Sequence, residues 1–193
     1  IPRAVVHNYG RKPYLTIPAT SQSLINIANV LNNCGLKWGV TFGTLLGLIR
    51  DKNPIEGDDD IDIVASVEDK SELLKILKSN GYRVLMDHEY FIQVEFYEYV
   101  VADYRLYKKD IKLTTKNYTV IDFYLYKNCL SESYDICIPW ERFPIKFYPI
   151  KKIQWNGISI NIPQDSIKLL EDFYESWKIP DNGKGHRKKR PKC

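Results

Sequence analysis

The chain has 193 residues, of which 44% are hydrophobic and 13% aromatic, and this composition predicts one globular domain with a buried core. Its net charge of +4 is smaller than the six positive charges that lie between Lys184 and Lys192, so the rest of the chain is net negative. This distribution argues against nucleic acid as a partner, because nucleic-acid-binding enzymes carry basic surface on the folded domain. Every long apolar window is broken by charge, so no transmembrane segment is predicted.

The ends of the chain and its cysteines give further expectations. We expect residues 1–182 to form a single domain and residues 183–193 a disordered basic tail. The four cysteines lack the spacing of a structural zinc site; Cys129 and Cys137 could pair across a polar turn or remain thiols. A chain that begins at Ile1 is expected to be trimmed or processed, cytoplasmic if complete and secretory if an upstream signal was removed. The sequence gives no indication of oligomeric state.

The N-terminal part predicts an irregular segment followed by a helix. Residues 1–19 contain three prolines and are expected to be irregular. The helix is predicted to begin at Ser21 or Ser23, either of which can cap it, and to end near Gly35. Its apolar positions recur at helical spacing: Leu24, Ile27, Ala28 and Leu31. We therefore assign this helix to the core of the domain.

The segment 38–50 predicts a short strand, a glycine turn and a short apolar helix. Gly43 permits a tight backbone turn, and a helix that starts at Thr44 directs free N–H groups and the positive end of its dipole toward that turn. Such a helix end can bind an anion of the size of a phosphate.

An acidic strand follows, from Asp58 to Val64. Side chains alternate along a strand, so Asp60 and Asp62 share one face while Ile61 and Ile63 point into the core. Two carboxylates that face a phosphate-sized anion site are a typical arrangement for holding Mg²⁺ against a nucleotide.

The next segments predict a helix and a group of strands. The helix opens at Ser71 and stops at Asn80-Gly81, and residues 82–86 read as a strand. The aromatic and β-branched residues from Tyr90 to Tyr107 predict two antiparallel strands, with His88 in the loop before them.

A single aspartate interrupts the apolar run 118–125. Because burying an unpaired carboxylate is expensive, Asp122 should be paired, bound to a metal or placed at a strand end. Further along, residues 149–163 predict a β-hairpin that ends in a proline, and a helix is predicted from Asp165.

Two sets of motifs together resemble the LicD/fukutin family of phosphotransferases, which have a nucleotidyltransferase fold. The first is Gly43-Thr44-Leu45-Leu46-Gly47 up to Arg50, followed by Asp58-Asp59-Asp60-Ile61-Asp62. The second is the Pro149-Ile150-Lys151-Lys152 strand, the turn at Asn156-Gly157 and the run Tyr174-Glu175-Ser176-Trp177 before Pro180. The chain departs from the family at Glu56-Gly57, where the family usually has Pro-Trp, and at Glu175, where it has Gly.

The resemblance implies an α+β fold: a mixed β-sheet flanked by helices, with a C-terminal hairpin-helix extension. It also implies a Mg²⁺- or Mn²⁺-dependent enzyme that transfers phosphocholine or ribitol phosphate from a CDP-linked donor to a glycan or other hydroxyl acceptor. Asp60, Asp62 and Asp122 would be the catalytic and metal-binding residues. The substrate-binding residues would be Gly43, Thr44, Arg50 and Trp177.

Two alternatives stay open at this point. A nucleotidyltransferase that moves a nucleoside monophosphate from a triphosphate to a small acceptor would have the same core site. A non-catalytic member that binds a glycan or a nucleotide would keep the fold, although the three intact aspartates argue against it.

Overall fold

A computed structural model describes residues 17–106, 109–127, 134–138, 141–145 and 149–180. These residues contain four helices: α1 (Ile17–Asn32), α2 (Phe42–Arg50), α3 (Lys70–Ser79) and α4 (Ser166–Phe173). Strands β1 to β5 span Trp38–Val40, Asp60–Ser66, Arg83–His88, Phe91–Leu106 and Lys109–Lys127. Strands β6 to β9 span Tyr134–Ile138, Glu141–Ile145, Ile150–Trp155 and Ile158–Pro163. The predicted basic tail and Cys129 lie outside the described residues.

The main sheet is mixed and has seven strands. Five of them follow the order β1-β2-β5-β4-β3, and β6 pairs with β5 and β7. Strands β2 and β5 are parallel neighbours, whereas the other pairs in the sheet are antiparallel. A separate hairpin, β8-β9, precedes α4. The predicted α+β class, with a mixed sheet, flanking helices and a C-terminal hairpin-helix extension, is confirmed.

Strands β2 and β5 lie in the interior of the sheet, and their sequences explain this position. Where the two strands pair, residues 61–65 and 120–125 are apolar apart from one aspartate in each segment, as expected for a parallel pair covered on both faces. Ile61 and Ile63 of β2 and Phe123 of β5 are fully buried, together with Leu24 and Ile27 of α1. The aspartates of these two strands are therefore exceptions in a hydrophobic environment.

The start of the first helix was predicted wrongly. Helix α1 begins at Ile17, before both Ser21 and Ser23, so part of the segment expected to be irregular is helical. Pro18 does not prevent this, because in the first turn of a helix the missing N–H would have no intrahelical partner.

The prediction of two strands between Tyr90 and Tyr107 was also wrong. This segment forms the single long strand β4, which pairs with β5 along its whole length. The sequence of β4 contains no glycine, proline or asparagine, so its signals for a chain reversal are weak. His88, expected in a loop, is the exposed last residue of β3.

Other local predictions are confirmed. The hairpin β8-β9 turns at Asn156 and Gly157, whose φ angles of 46° and 79° suit the two central residues of a tight hairpin turn. Asp165 caps α4 by accepting a hydrogen bond from the Lys168 N–H at 3.4 Å. The short apolar helix is present as α2, but its predicted start at Thr44 was wrong, because it begins two residues earlier at Phe42.

Candidate active site

Three carboxylates meet where β2 and β5 run side by side. Asp62 lies directly opposite Asp122 in the parallel register, and Asp60 lies two residues before Asp62 on the same face of β2. Each of the three offers an oxygen within 4.8 Å of the others. Asp62 and Asp122 are 3% and 7% exposed, and Asp60 is half-buried. The structure thus brings all three predicted catalytic residues together.

The proximity of these charges has an energetic consequence. Two unit charges about 5 Å apart repel each other by about 3 kcal/mol at an effective dielectric constant of about 20. Three carboxylates in one cluster are therefore stabilised by a cation, and carboxylate oxygens are the ligands that hard divalent ions prefer. The cluster could hold a metal ion through Asp60, Asp62 and Asp122.

The N-terminal end of α2 contacts Asp62. The Gly43 N–H donates a hydrogen bond to Oδ2 of Asp62 at 2.8 Å. The Asp62 N–H in turn donates to Oγ1 of the buried Thr44 at 2.9 Å, and the Thr41 N–H donates to the Asp62 carbonyl oxygen at 3.1 Å. Gly43 and Thr44 therefore lie at the carboxylate cluster, where they hold Asp62 in place.

Gly43 is needed here for a reason other than the one the sequence indicates. The strained backbone of this turn is at Phe42, which has a φ of 39°, whereas Gly43 has no positive φ. A Cβ atom at Gly43 would lie 2.9 Å from Oδ2 of Asp58 and 3.2 Å from Oδ2 of Asp62. Glycine therefore allows the helix to approach the carboxylates closely.

Two residues at the site were missed by sequence reasoning. Gln93 of β4 donates its amide hydrogen to Oδ1 of Asp122 at 2.8 Å. The Tyr124 hydroxyl donates to Oδ1 of Asp62 at 3.1 Å. Gln93 is one of several polar residues in β4, and only the strand order shows that it lies opposite Asp122.

Arg50 lies at the other end of α2. A helix rises about 1.5 Å per residue, so roughly 12 Å separate Arg50 from the first residue of α2. The guanidinium of Arg50 binds both carboxylate oxygens of Asp51, at 2.7 and 2.6 Å. These hydrogen bonds raise the pKa of Arg50, and partial burial opposes the rise. Binding of substrate phosphate by Arg50 stays a prediction.

Trp177 belongs to the segment after α4 and is largely buried in the core. A surface groove formed by this segment is lined by Tyr174, Trp177, Lys178 and Ile179, among others. The ammonium group of Lys178 lies 5.6 Å from the centre of the Trp177 ring. Phe173, four residues before Trp177, stacks on Phe42 at the start of α2 with a centroid distance of 4.7 Å. The role of Trp177 in substrate binding stays a prediction.

Comparison of the sequence with known protein families identifies the family of this chain. Residues 35–165, more than half of the chain, match the LicD/FKTN/FKRP nucleotidyltransferase domain. The chain belongs to the LicD/FKTN/FKRP family. The fold described above is the one expected for a nucleotidyltransferase domain of this family.

The LicD-like chain is also similar to two uncharacterised proteins from Rickettsia. It is 28% identical to one from Rickettsia prowazekii (strain Madrid E) over 155 residues, which are 77% of this chain and 51% of that protein. It is 28% identical to one from Rickettsia typhi (strain ATCC VR-144 / Wilmington) over 151 residues, which are 77% of this chain and 43% of that protein. The chain therefore spans about half the length of these curated relatives.

Solved structures of low sequence identity share the fold. The lincomycin-bound lincosamide adenylyltransferase LnuA has a TM-score of 0.53 at 12% identity, with 77% of this chain and 83% of that chain covered. The solution structure of the antibiotic-resistance factor ANT(2'')-Ia has a TM-score of 0.51 at 14% identity, with 87% of this chain and 77% of that chain covered.

Among the residues that the structure describes, no helix is long and apolar enough to cross a membrane.

Proposed function

We propose that this LicD-like protein transfers a phospho-alcohol group, such as phosphocholine or ribitol phosphate, from a CDP-linked donor to a hydroxyl of a glycan. The observation that carries the proposal is the cluster of Asp60, Asp62 and Asp122 beside the N-terminal end of α2, within the family-matched segment. Family membership supports the choice of reaction class.

The proposed roles follow from the charges in the site. Asp60 and Asp62 would hold Mg²⁺ or Mn²⁺, and Asp122 would either complete the metal site or accept a proton. The metal would offset the negative charge that builds up on the departing nucleotide. Gly43 and Thr44 fix Asp62 to the helix end, whose dipole favours a nearby phosphate.

The transfer step exchanges one bond for another at phosphorus. The acceptor hydroxyl oxygen forms a bond to the phosphorus of the phospho-alcohol group, and the bond from that phosphorus to the bridging anhydride oxygen breaks. CMP leaves with the bridging oxygen, and the hydroxyl proton passes to a base, for which Asp122 is the candidate. A nucleotidyltransferase would instead release pyrophosphate from a nucleoside triphosphate.

A thermal-shift experiment tests the donor class. We would measure the melting temperature with CDP-choline, CDP-ribitol, CTP, ATP or UDP-sugars, each with and without Mg²⁺ or Mn²⁺. A ligand at 100 times its Kd stabilises the folded state by about 2.7 kcal/mol. For a chain of this length that corresponds to a rise of about 5–11 °C. We expect this rise with a CDP-alcohol only when the metal ion is present.

The matched variants are Asp62→Asn and Asp172→Asn. Asp62→Asn should abolish the metal-dependent shift, whereas Asp172 is exposed on α4 and pairs with Lys168, so its variant should behave as wild type. Release of CMP from the stabilising donor, followed by chromatography, then tests turnover. Stabilisation by a triphosphate with release of pyrophosphate would favour the nucleotidyltransferase instead, and no shift with any nucleotide would refute both.

A further inference from the structure

Each of the two buried aspartates, Asp62 and Asp122, accepts a hydrogen bond from an uncharged side chain that lies outside the motifs shared with the LicD family. Gln93 reaches Asp122 from β4, the strand that pairs with β5 on the side away from β2. In the register Gln93 stands directly opposite Asp122, so the row Asp62, Asp122, Gln93 crosses three neighbouring strands. The amide therefore approaches the cluster along the sheet surface, from the side opposite Asp62.

Tyr124 occupies the corresponding position for Asp62. It lies two residues after Asp122 on the same face of β5, and its hydroxyl reaches Oδ1 of Asp62 on the neighbouring strand. The ring is fixed by Phe42, edge-to-face at a centroid distance of 4.7 Å, and by Phe91 at 5.4 Å. Because Phe42 belongs to the turn that carries Gly43, one packed group of side chains sets both contacts to the Asp62 carboxylate.

The charge of these donors matters as much as their position. A lysine or arginine in either place would form an ion pair with the aspartate and offset the negative charge that attracts a cation. An amide and a phenol instead fix the direction of an oxygen atom and leave the carboxylate charge in place. Partners of this kind around metal ligands typically change metal affinity by about tenfold to a hundredfold when they are removed.

We propose that Gln93 and Tyr124 are positioning residues that orient Asp122 and Asp62 and thereby set the affinity of the site for a divalent cation. This proposal rests on the proposed function, because it assumes that the aspartates bind a metal ion. It assigns a role to two residues that lie outside the motifs shared with the LicD family.

The test compares four proteins. Gln93→Met removes the amide donor at nearly constant size, and Tyr124→Phe removes only the hydroxyl. Gln154→Met is the matched control, because the exposed Gln154 amide donates to Oγ of Ser159 at 2.8 Å in the β8-β9 hairpin. For these variants and the wild type we would measure the Kd for Mn²⁺ alone, from the electron paramagnetic resonance signal of free Mn²⁺, and the melting temperature without metal.

We expect Gln93→Met and Tyr124→Phe each to bind Mn²⁺ about tenfold or more weakly than wild type. Gln154→Met should bind like wild type, and all three variants should melt within a few degrees of it. Wild-type affinity in Gln93→Met or Tyr124→Phe would overturn the role of that residue and leave the proposed function intact. Weaker binding with a matching loss of metal-free stability would overturn it too, as a structural effect. A wild-type protein that binds no Mn²⁺ would refute the proposed function and this inference together.

Discussion

The two glycines of the Gly43–Gly47 motif should respond to alanine in opposite ways. At Gly47 a Cβ atom would lie 2.6 Å from the Asn53 carbonyl oxygen and 2.9 Å from the Ile55 nitrogen. Favourable contacts between such atoms need about 3.5 Å, and backbone atoms cannot turn away. Overpacking of this kind costs about 1–3 kcal/mol, so Gly47→Ala should lower the melting temperature by about 2–12 °C.

At Gly43 the nearest atoms are carboxylate oxygens, which can rotate. The closest, Oδ2 of Asp58 at 2.9 Å and Oδ2 of Asp62 at 3.2 Å, would move by a few tenths of an ångström. A helical alanine also gains up to about 1 kcal/mol over glycine, which offsets the strain. Stability should therefore change by less than about 1 kcal/mol. The shift would disturb the hydrogen bond from the Gly43 N–H to Oδ2 of Asp62. Loss of such a partner of a metal ligand typically lowers metal affinity about tenfold to a hundredfold, so Mn²⁺ affinity should fall about tenfold or more.

Differential scanning fluorimetry and Mn²⁺ titration of both variants check this contrast. The expected pattern is a destabilised Gly47→Ala that keeps its metal affinity and a stable Gly43→Ala that loses it. Equal loss of stability in the two variants, or an intact Mn²⁺ affinity in Gly43→Ala, would refute the reasoning from the Cβ contacts.

Three further predictions concern the cluster and the loop before it. Asp60→Ala should raise the metal-free melting temperature, because it relieves repulsion between the carboxylates. Asp62→Ala should raise it less, because this variant leaves the Gly43 N–H without its acceptor. Both variants should lose Mn²⁺ binding, measured by calorimetry. Gln93→Lys should place a cation beside Asp122, so that calorimetry detects no Mn²⁺ binding while the metal-free protein melts higher. Trp155→Phe removes the hydrogen bond from the indole to the Lys52 carbonyl oxygen at 2.9 Å, and scanning fluorimetry should show a fall of about 2–4 °C with unchanged Mn²⁺ affinity.

Much of the site could be predicted because its signals are local. Alternation along β2 places Asp60 and Asp62 on one face without knowledge of any other strand. Asp122 was recognisable as a carboxylate within an apolar run, and the family resemblance gave it a neighbour. The register then confirms that Asp122 lies beside Asp62.

The missed features depend on which strands are neighbours. Nothing local distinguishes Gln93 from any other polar residue in a half-buried strand, because its importance comes from β4 lying next to β5. The unbroken β4 likewise depends on its neighbour, because β5 pairs with it along its whole length.

The order of the strands also determines when the site can form. Along the chain β5 comes after β3 and β4, yet in the sheet it inserts between β2 and β4. A growing chain therefore carries Asp60 and Asp62 long before the strand that brings Asp122 has been synthesised, and pairing of such distant segments is slow. We expect the cation to bind only after β5 has taken its place, late in folding. Metal binding would then indicate that β5 has inserted between β2 and β4, and a fragment that ends before β5 would not bind the cation.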